Sequence, residues 1–203
     1  MRLILIFILL SVAALTAQEL EEYTLFGMLQ TAQLSEISGI ERSAQSDTVL
    51  WGINDSGNAP NLYAFSKTGV QRSFTIEHAE NRDWEDLSAF RRKGQSFLII
   101  ADIGDNRAVR DHCVLYIIKE PDLRSSSDEI TLQQKIYYQY PDGPRDAEGF
   151  AVNPQTRSIL ICSKRTIPPA IYRLPLDLSS DSLYTAEKIA DLTSIPRPKI
   201  PRL

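Results

Sequence analysis

Apolar and polar positions along this chain repeat in a four-part order three times over. Each round opens on an acidic residue followed by small and apolar ones: Glu36-Ile-Ser-Gly-Ile40, Glu85-Asp-Leu-Ser-Ala-Phe90 and Glu148-Gly-Phe-Ala-Val152. An apolar run into a polar turn comes next, at Val49–Gly57, Phe97–Arg107 and Ile159–Arg165. A short aromatic-bearing strand follows, at Leu62–Phe65, Val114–Ile118 and Ile171–Leu174. A more amphipathic segment closes the round, at Val70–Ile76, Ile130–Tyr140 and Leu183–Leu192. The acidic openers lie about 50 and then about 60 residues apart, a period that fits propeller blades of four antiparallel strands. The expected fold is therefore all-β, a β-propeller with about three blades at residues 34–81, 83–140 and 146–192 inside one domain, 18–203, preceded by a strand at Tyr23–Gln30. A fourth repeat would open at Pro196–Leu203, so the expectation is a truncated six-bladed ring. The uncovered end faces of such an arc favour self-association.

The first residues add a compartment. Arg2, the apolar run Leu3–Leu10 and the small residues of Val12-Ala-Ala14 and Leu15-Thr-Ala17 have the layout of a secretory signal peptide over residues 1–17. That run falls short of the ~20 apolar residues of a spanning helix, so a secreted or periplasmic protein with no membrane span is expected. Net charge is -4 with both signs interspersed, which argues against nucleic acid as a partner. Cys113 and Cys162 fall in strand patterns of different repeats and read as two buried thiols. His78 and His112 have no metal-ligand spacing.

Strand parity sorts the loops into two ends, because in a meander the second-to-third turn and the link to the next repeat share one face. One end receives Asn54–Pro60, Asn81–Asp86, Asp102–Arg107, Tyr140–Glu148 and Ser163–Arg165, rich in carboxylates, Arg and turn glycines. The other end carries ordinary solvated linkers, so function is expected at the first. Glu36, Glu85 and Glu148 have three readings: latches accepting backbone N–H groups from the neighbouring blade, metal ligands, or direct catalytic groups. Asp102 and Asp105 flank a glycine, as oxygen ligands of a hard cation such as calcium do, or as an Asx-turn does. Arg82-Asp-Trp-Glu85 and Arg145-Asp-Ala-Glu148 repeat one motif in which Arg either neutralises its carboxylates or helps hold an anionic group. The candidate metal ligands are thus Glu36, Glu85, Asp102, Asp105 and Glu148, and the candidate ligand-binding residues Asn54, Asp55, Arg82, Asp86, Arg107, Arg145 and Lys164. No serine sits in a nucleophile elbow, and no Cys-His or His-Glu-x-x-His arrangement exists, which disfavours covalent catalysis.

As a set, Asn54-Asp-Ser-Gly57, Arg82-Asp-Trp-Glu-Asp86, Asp102-Ile-Gly-Asp-Asn-Arg107 and Tyr140-Pro-Asp-Gly-Pro-Arg-Asp-Ala-Glu148 resemble a family of exported bacterial β-propeller proteins, broadly similar to phytase-like and gluconolactonase-like propellers. The resemblance spans about residues 36–165. It implies a propeller with a central calcium-bearing site. In phytase-like relatives carboxylates bind calcium ions and a phosphate ester, and Glu148 in its Asp-Ala-Glu-Gly setting is the residue most like theirs; the rest of that constellation has no match here. Two functions are expected on this basis. One is a calcium-assisted hydrolase of phosphate or other esters; the other is a non-enzymatic binding or scaffold propeller at the cell envelope, with a small anionic ligand or an envelope component as partner.

Overall fold

Short runs of Ile, Leu, Val and aromatic residues, broken by Gly-, Asn- and Asp-bearing turns, fold as strands throughout. The structure, a computed structural model, describes residues 28, 29 and 31–194. The leader expected over 1–17 and the segment Pro196–Leu203 lie outside the described residues. So does the strand expected over Tyr23–Gln30, except for Met28 and Leu29, which are exposed and in no strand. No helix among the described residues is long and apolar enough to cross a membrane.

The strands form three antiparallel blades. The first contains β1 (Ile37–Arg42), β2 (Leu50–Asn54), β3 (Asn61–Ser66) and β4 (Gly69–Ile76). The second contains β5 (Trp84–Arg92), β6 (Gln95–Asp102), β7 (Cys113–Lys119) and β9 (Gln134–Gln139), after the short β8 (Glu129–Ile130). The third contains β10 (Ala147–Asn153), β11 (Ser158–Ser163), β12 (Ala170–Pro175) and β14 (Glu187–Asp191), with β13 (Leu183–Thr185) before the last. Inner strands β1, β5 and β10 pack side by side, so the three blades stack as in a propeller.

The middle blade is covered on both faces, which explains its unbroken apolar run Phe97–Ala101. Leu98 and Ile100 point toward the first blade, where they meet Trp51, Ile53 and Trp84. Ile99 and Ala101 point toward the third, where they meet Phe150, Ile161 and Tyr172. Cys113 is buried, Cys162 is only half-buried, and both are free thiols.

Two expected strands divide. Within Ile130–Tyr140, the leading segment becomes β8 and pairs in parallel with β4 (Ile76 opposite Ile130) on the outer edge of the preceding blade. Within Leu183–Leu192, the leading segment becomes β13 and pairs in parallel with β9 (Tyr184 opposite Tyr138). An outer strand leaves a row of backbone groups unpaired, and the following blade's linker satisfies them. Arg72 holds the first of these linkers, bonding Asp128 Oδ1 at 2.7 Å and the carbonyls of Leu123 and Ser127.

Blades are joined by side-chain acceptors on the inner strands. The Ala89 amide donates to Glu41 at 2.8 Å, the Phe150 amide to Asp86 at 3.1 Å and the Val152 amide to Ser88 at 3.3 Å. At the first junction Gly39 allows the backbones to close up, since a Cβ there would stand 2.8 Å from the Leu87 nitrogen. At the opposite end from the acidic loops, Glu120 joins the first two blades. It accepts from Ser43 Oγ at 2.7 Å, from the Ala44 amide at 2.9 Å and from Trp51 Nε1 at 2.9 Å.

Candidate functional site

Each inner strand carries a β-bulge at the same place. Ser38, Glu85 and Glu148 are the extra residues, because Ile37/Gly39, Trp84/Asp86 and Ala147/Gly149 face consecutive partners across the ladder. A bulge breaks the two-residue alternation and re-aims one side chain. Ser38, Glu85 and Glu148 accordingly line one cavity of about 390 Å³ with Glu36, Ile37 and Asp55. The structural counterpart of Glu85 and Glu148 in the first blade is therefore Ser38. Glu36 corresponds to Asp83 and Asp146, each two residues before its bulge, and the carbonyls of all three accept the equivalent backbone bond, from Asp55, Ile103 and Lys164.

Carboxylates from three blades converge there. Asp55, Asp83 and Glu85 each bring an oxygen within 4.8 Å of the others, and so do Glu85, Asp146 and Glu148. Glu85 belongs to both groups. Calcium–oxygen distances near 2.4 Å put two ligands of one ion at most about 4.8 Å apart, so either triad has the span of a calcium site. Gly104 is what lets the acids close in: a Cβ on it would lie 2.3 Å from Glu85 Oε1 and 2.4 Å from Asp83 Oδ2.

Electrostatics divide the cluster. Asp146 is paired with Arg165 at 2.7 Å, and Glu148 is bonded by Lys164. Asp55, Asp83 and Glu85 have no ion-pair partner among the described residues. Glu85 is 8% exposed and makes no hydrogen bond among them. Burial, then repulsion from Glu148, Asp55, Asp83 and Asp146, pushes its carboxyl up to about 8. Burial and then Asp55 also raise Asp83.

The remaining expected site residues divide between the cavity and its supports. Glu36 lines the cavity and accepts from Asn58 Nδ2 at 2.8 Å. Asp102 is buried behind the site, bonded to Arg110 at 2.7 Å and to the amides of Arg82 and Asp83. Asp105 is buried too. It accepts from the Arg110 amide and donates its own amide to Asp146. These two shape the loop that carries Gly104 instead of lining the cavity. Asn54 is buried and donates to the Gln33 carbonyl at 2.8 Å. Asp86 is committed to the amides of Leu87 and Phe150, the latch role first considered for its neighbour Glu85. Arg145 pairs with Asp142 at 2.7 Å and stacks over Tyr172, away from the cavity. Arg82 and Arg107 are exposed and form no ion pair among the described residues. Asp83 and Asp146 were not among the candidate ligands, although both stand inside the repeated Arg-Asp-x-Glu motif that signals them.

No family model matches the sequence, and no curated protein is detectably similar to it. Among solved structures the chain is similar to the crystal structure of Kluyvelomyces marxianus Hsv2, with a TM-score of 0.41 and 10% identity over 73% of this chain and 39% of that one. The chain thus spans well under half the length of that protein. Blade architecture here follows from strand order and register.

Proposed function

We propose that this protein is an exported propeller, acting in the secreted or periplasmic space, that binds calcium at its mouth through Asp55, Asp83, Glu85, Asp146 and Glu148 and presents the ion to an anionic ligand. The observation that carries this reading is Glu85: buried, without a hydrogen bond among the described residues, and surrounded by four other carboxylates. Such a group is stabilised either by a proton or by a cation, and a hard divalent ion suits an all-oxygen donor set. Calorimetric titration of chelator-treated protein with calcium tests it. Saturable binding that releases protons at neutral pH, and that Glu85→Gln weakens by about tenfold or more, is the expected result. A flat titration into the millimolar range removes the metal reading.

Hydrolysis of a phosphate or other ester is the second reading, and Arg82 and Arg107, which form no ion pair among the described residues, favour it. Both stand on the loops that carry Asp83 and Asp105, where a guanidinium can bind an anionic group. A bound calcium would supply charge stabilisation and a more acidic water. Calcium-dependent release of nitrophenol from p-nitrophenyl phosphate, lost in Arg107→Ala, is the outcome this reading requires. Calcium binding without turnover leaves the binding or scaffold role.

A further inference from the structure

The outer strands of the three blades are alike on their inner edge and differ on the far one. The Ile76 amide of β4 donates to the Pro60 carbonyl at 3.0 Å, and the Leu192 amide just past β14 donates to the Pro169 carbonyl at 2.7 Å. Counted from the ladders, Tyr138 of β9 holds the same position. On the far edge, β4 and β9 are each taken up by a parallel segment. The Thr75 and Glu77 amides donate to the Asp128 and Ile130 carbonyls at 2.8 and 2.9 Å, and the Ala186 amide donates to the Gln139 carbonyl at 2.9 Å. In both pairings one apolar side chain of the incoming segment, Ile130 or Tyr184, stands opposite Ile76 or Tyr138 and packs into the core between blades, while its neighbours in sequence are exposed.

Among the described residues β14 has no such cover, and all five of its positions are exposed. Leu192 is only half-buried where Ile76 is 1% and Tyr138 0% exposed, and Ala190 is exposed where Phe74 and Ile136 are buried. Leu160 and Ile171 continue this half-buried apolar strip across the same face of the blade. Since the Leu192 amide is spent on Pro169, alternation turns the Asp191 amide toward the free edge, as the equivalent Thr75 amide is turned toward Asp128. An open edge of this kind is a template for a further strand.

We infer that the free edge of β14 docks an extended peptide of a partner protein, bound in parallel through its backbone, with one aliphatic or aromatic side chain set beside Leu192 and its neighbours left in solvent. The chemistry of the occupant is that of the interface this molecule already builds twice, on β4 and on β9. A second copy closing a ring does not supply it. The covering segments come from the long β7–β9 and β12–β14 links of the following blade, whereas the first blade joins β3 to β4 through Lys67 and Thr68 alone and carries Leu34 over its own outer face. Two copies joined edge to edge about a two-fold axis would pair antiparallel. The inference rests on strand pairing and stands whether or not the mouth binds metal.

Titration of the nitrogen-15-labelled protein with a capped synthetic peptide copying residues 180–186, the segment that covers β9, tests this through the amide resonances. Saturable shifts centred on residues 187–193 are expected, with a dissociation constant of about 1 mM or lower. A peptide with aspartate at its tyrosine position, and separately the Leu192→Asp protein, should each bind about tenfold more weakly, while Val109→Ser, at an exposed apolar residue elsewhere, should leave binding unchanged. A spin label on the first residue of the peptide should broaden Glu187 more than Leu192, as parallel pairing requires. No saturable shift by about 10 mM peptide overturns the inference, as does the opposite order of broadening. Shifts confined to Tyr137–Gln139 would mean that the peptide displaces β13 instead, and broadening of residues 187–193 that grows with protein concentration alone would make a second copy the occupant; either result also overturns it.

Discussion

Two buried glutamates stand at opposite ends of the same pair of blades, and they have opposite fates. Glu120 is 4% exposed and Glu85 is 8% exposed. Burial would raise both, but donors from Trp51, Ser43 and the Ala44 amide hold Glu120 below the ordinary range. Glu85 has only like charges for company and is pushed up to about 8. Depth of burial therefore does not set the fate of a buried acid; the supply of donors does. At one end of the junction the protein itself supplies the donors, whereas at the other it gathers carboxylates without them.

The largest effect expected from this contrast is in stability. Glu120→Ala leaves Trp51 Nε1–H, Ser43 and the Ala44 amide without their shared acceptor and should cost about 3 kcal/mol or more in urea denaturation. Glu85→Gln in calcium-free buffer should cost nothing or stabilise, because it removes a repelled carboxylate. A comparable loss in both variants would erase the distinction.

Next comes pH. In the calcium-free fold Glu85 keeps a proton that the unfolded chain gives up above the ordinary glutamate value of 4.5, so stability falls as pH climbs from there to about 8 and is level beyond. Water at the open mouth moderates the loss, which should be on the order of 2 kcal/mol. Glu120 works in the other direction. Its folded value is lowered, so its contribution is present above 4.5 and disappears as pH drops through the folded value. Melting curves across the range should show the decline between pH 4.5 and about 8 flattened by Glu85→Gln and by calcium, with the Glu120 contribution to the acid limb untouched.

The smallest effect sharpens the geometry. Gly104→Ala places a methyl group where Glu85 and Asp83 stand, so calcium affinity should drop about tenfold, or about 1.4 kcal/mol, while the calcium-free melting temperature moves little. Unchanged affinity by titration calorimetry would mean that the ion sits away from Glu85.

Much of this was legible in the chain. Apolar runs bounded by turn residues gave the blades, and parity brought Asp55, Glu85 and Glu148 to one end. The Arg-Asp-x-Glu repeat held Asp83 and Asp146 in plain view. Other features were not legible, for physical reasons. A bulge is a property of a paired ladder, so nothing local shows that Ser38, and not Glu36, matches Glu85. Linker segments such as Glu129–Ile130 look like the start of the next strand until an outer edge beside them offers unpaired backbone. Asp102 and Asp105 have the look of ligands until Arg110, five residues past Asp105, turns back and takes them up.

The sequence by itself determined the all-β repeat and the end of the molecule where the charges gather, because alternation and turn chemistry act over a few residues. Tertiary structure alone decided which carboxylates converge at the mouth, which are latches and which are braces. Those roles depend on whether a donor, a base or only another carboxylate lies across the blade junction, between residues some 60 positions apart such as Glu85 and Glu148. Burial then amplifies the difference, since a setting of lower dielectric than bulk water makes an unpaired charge more costly.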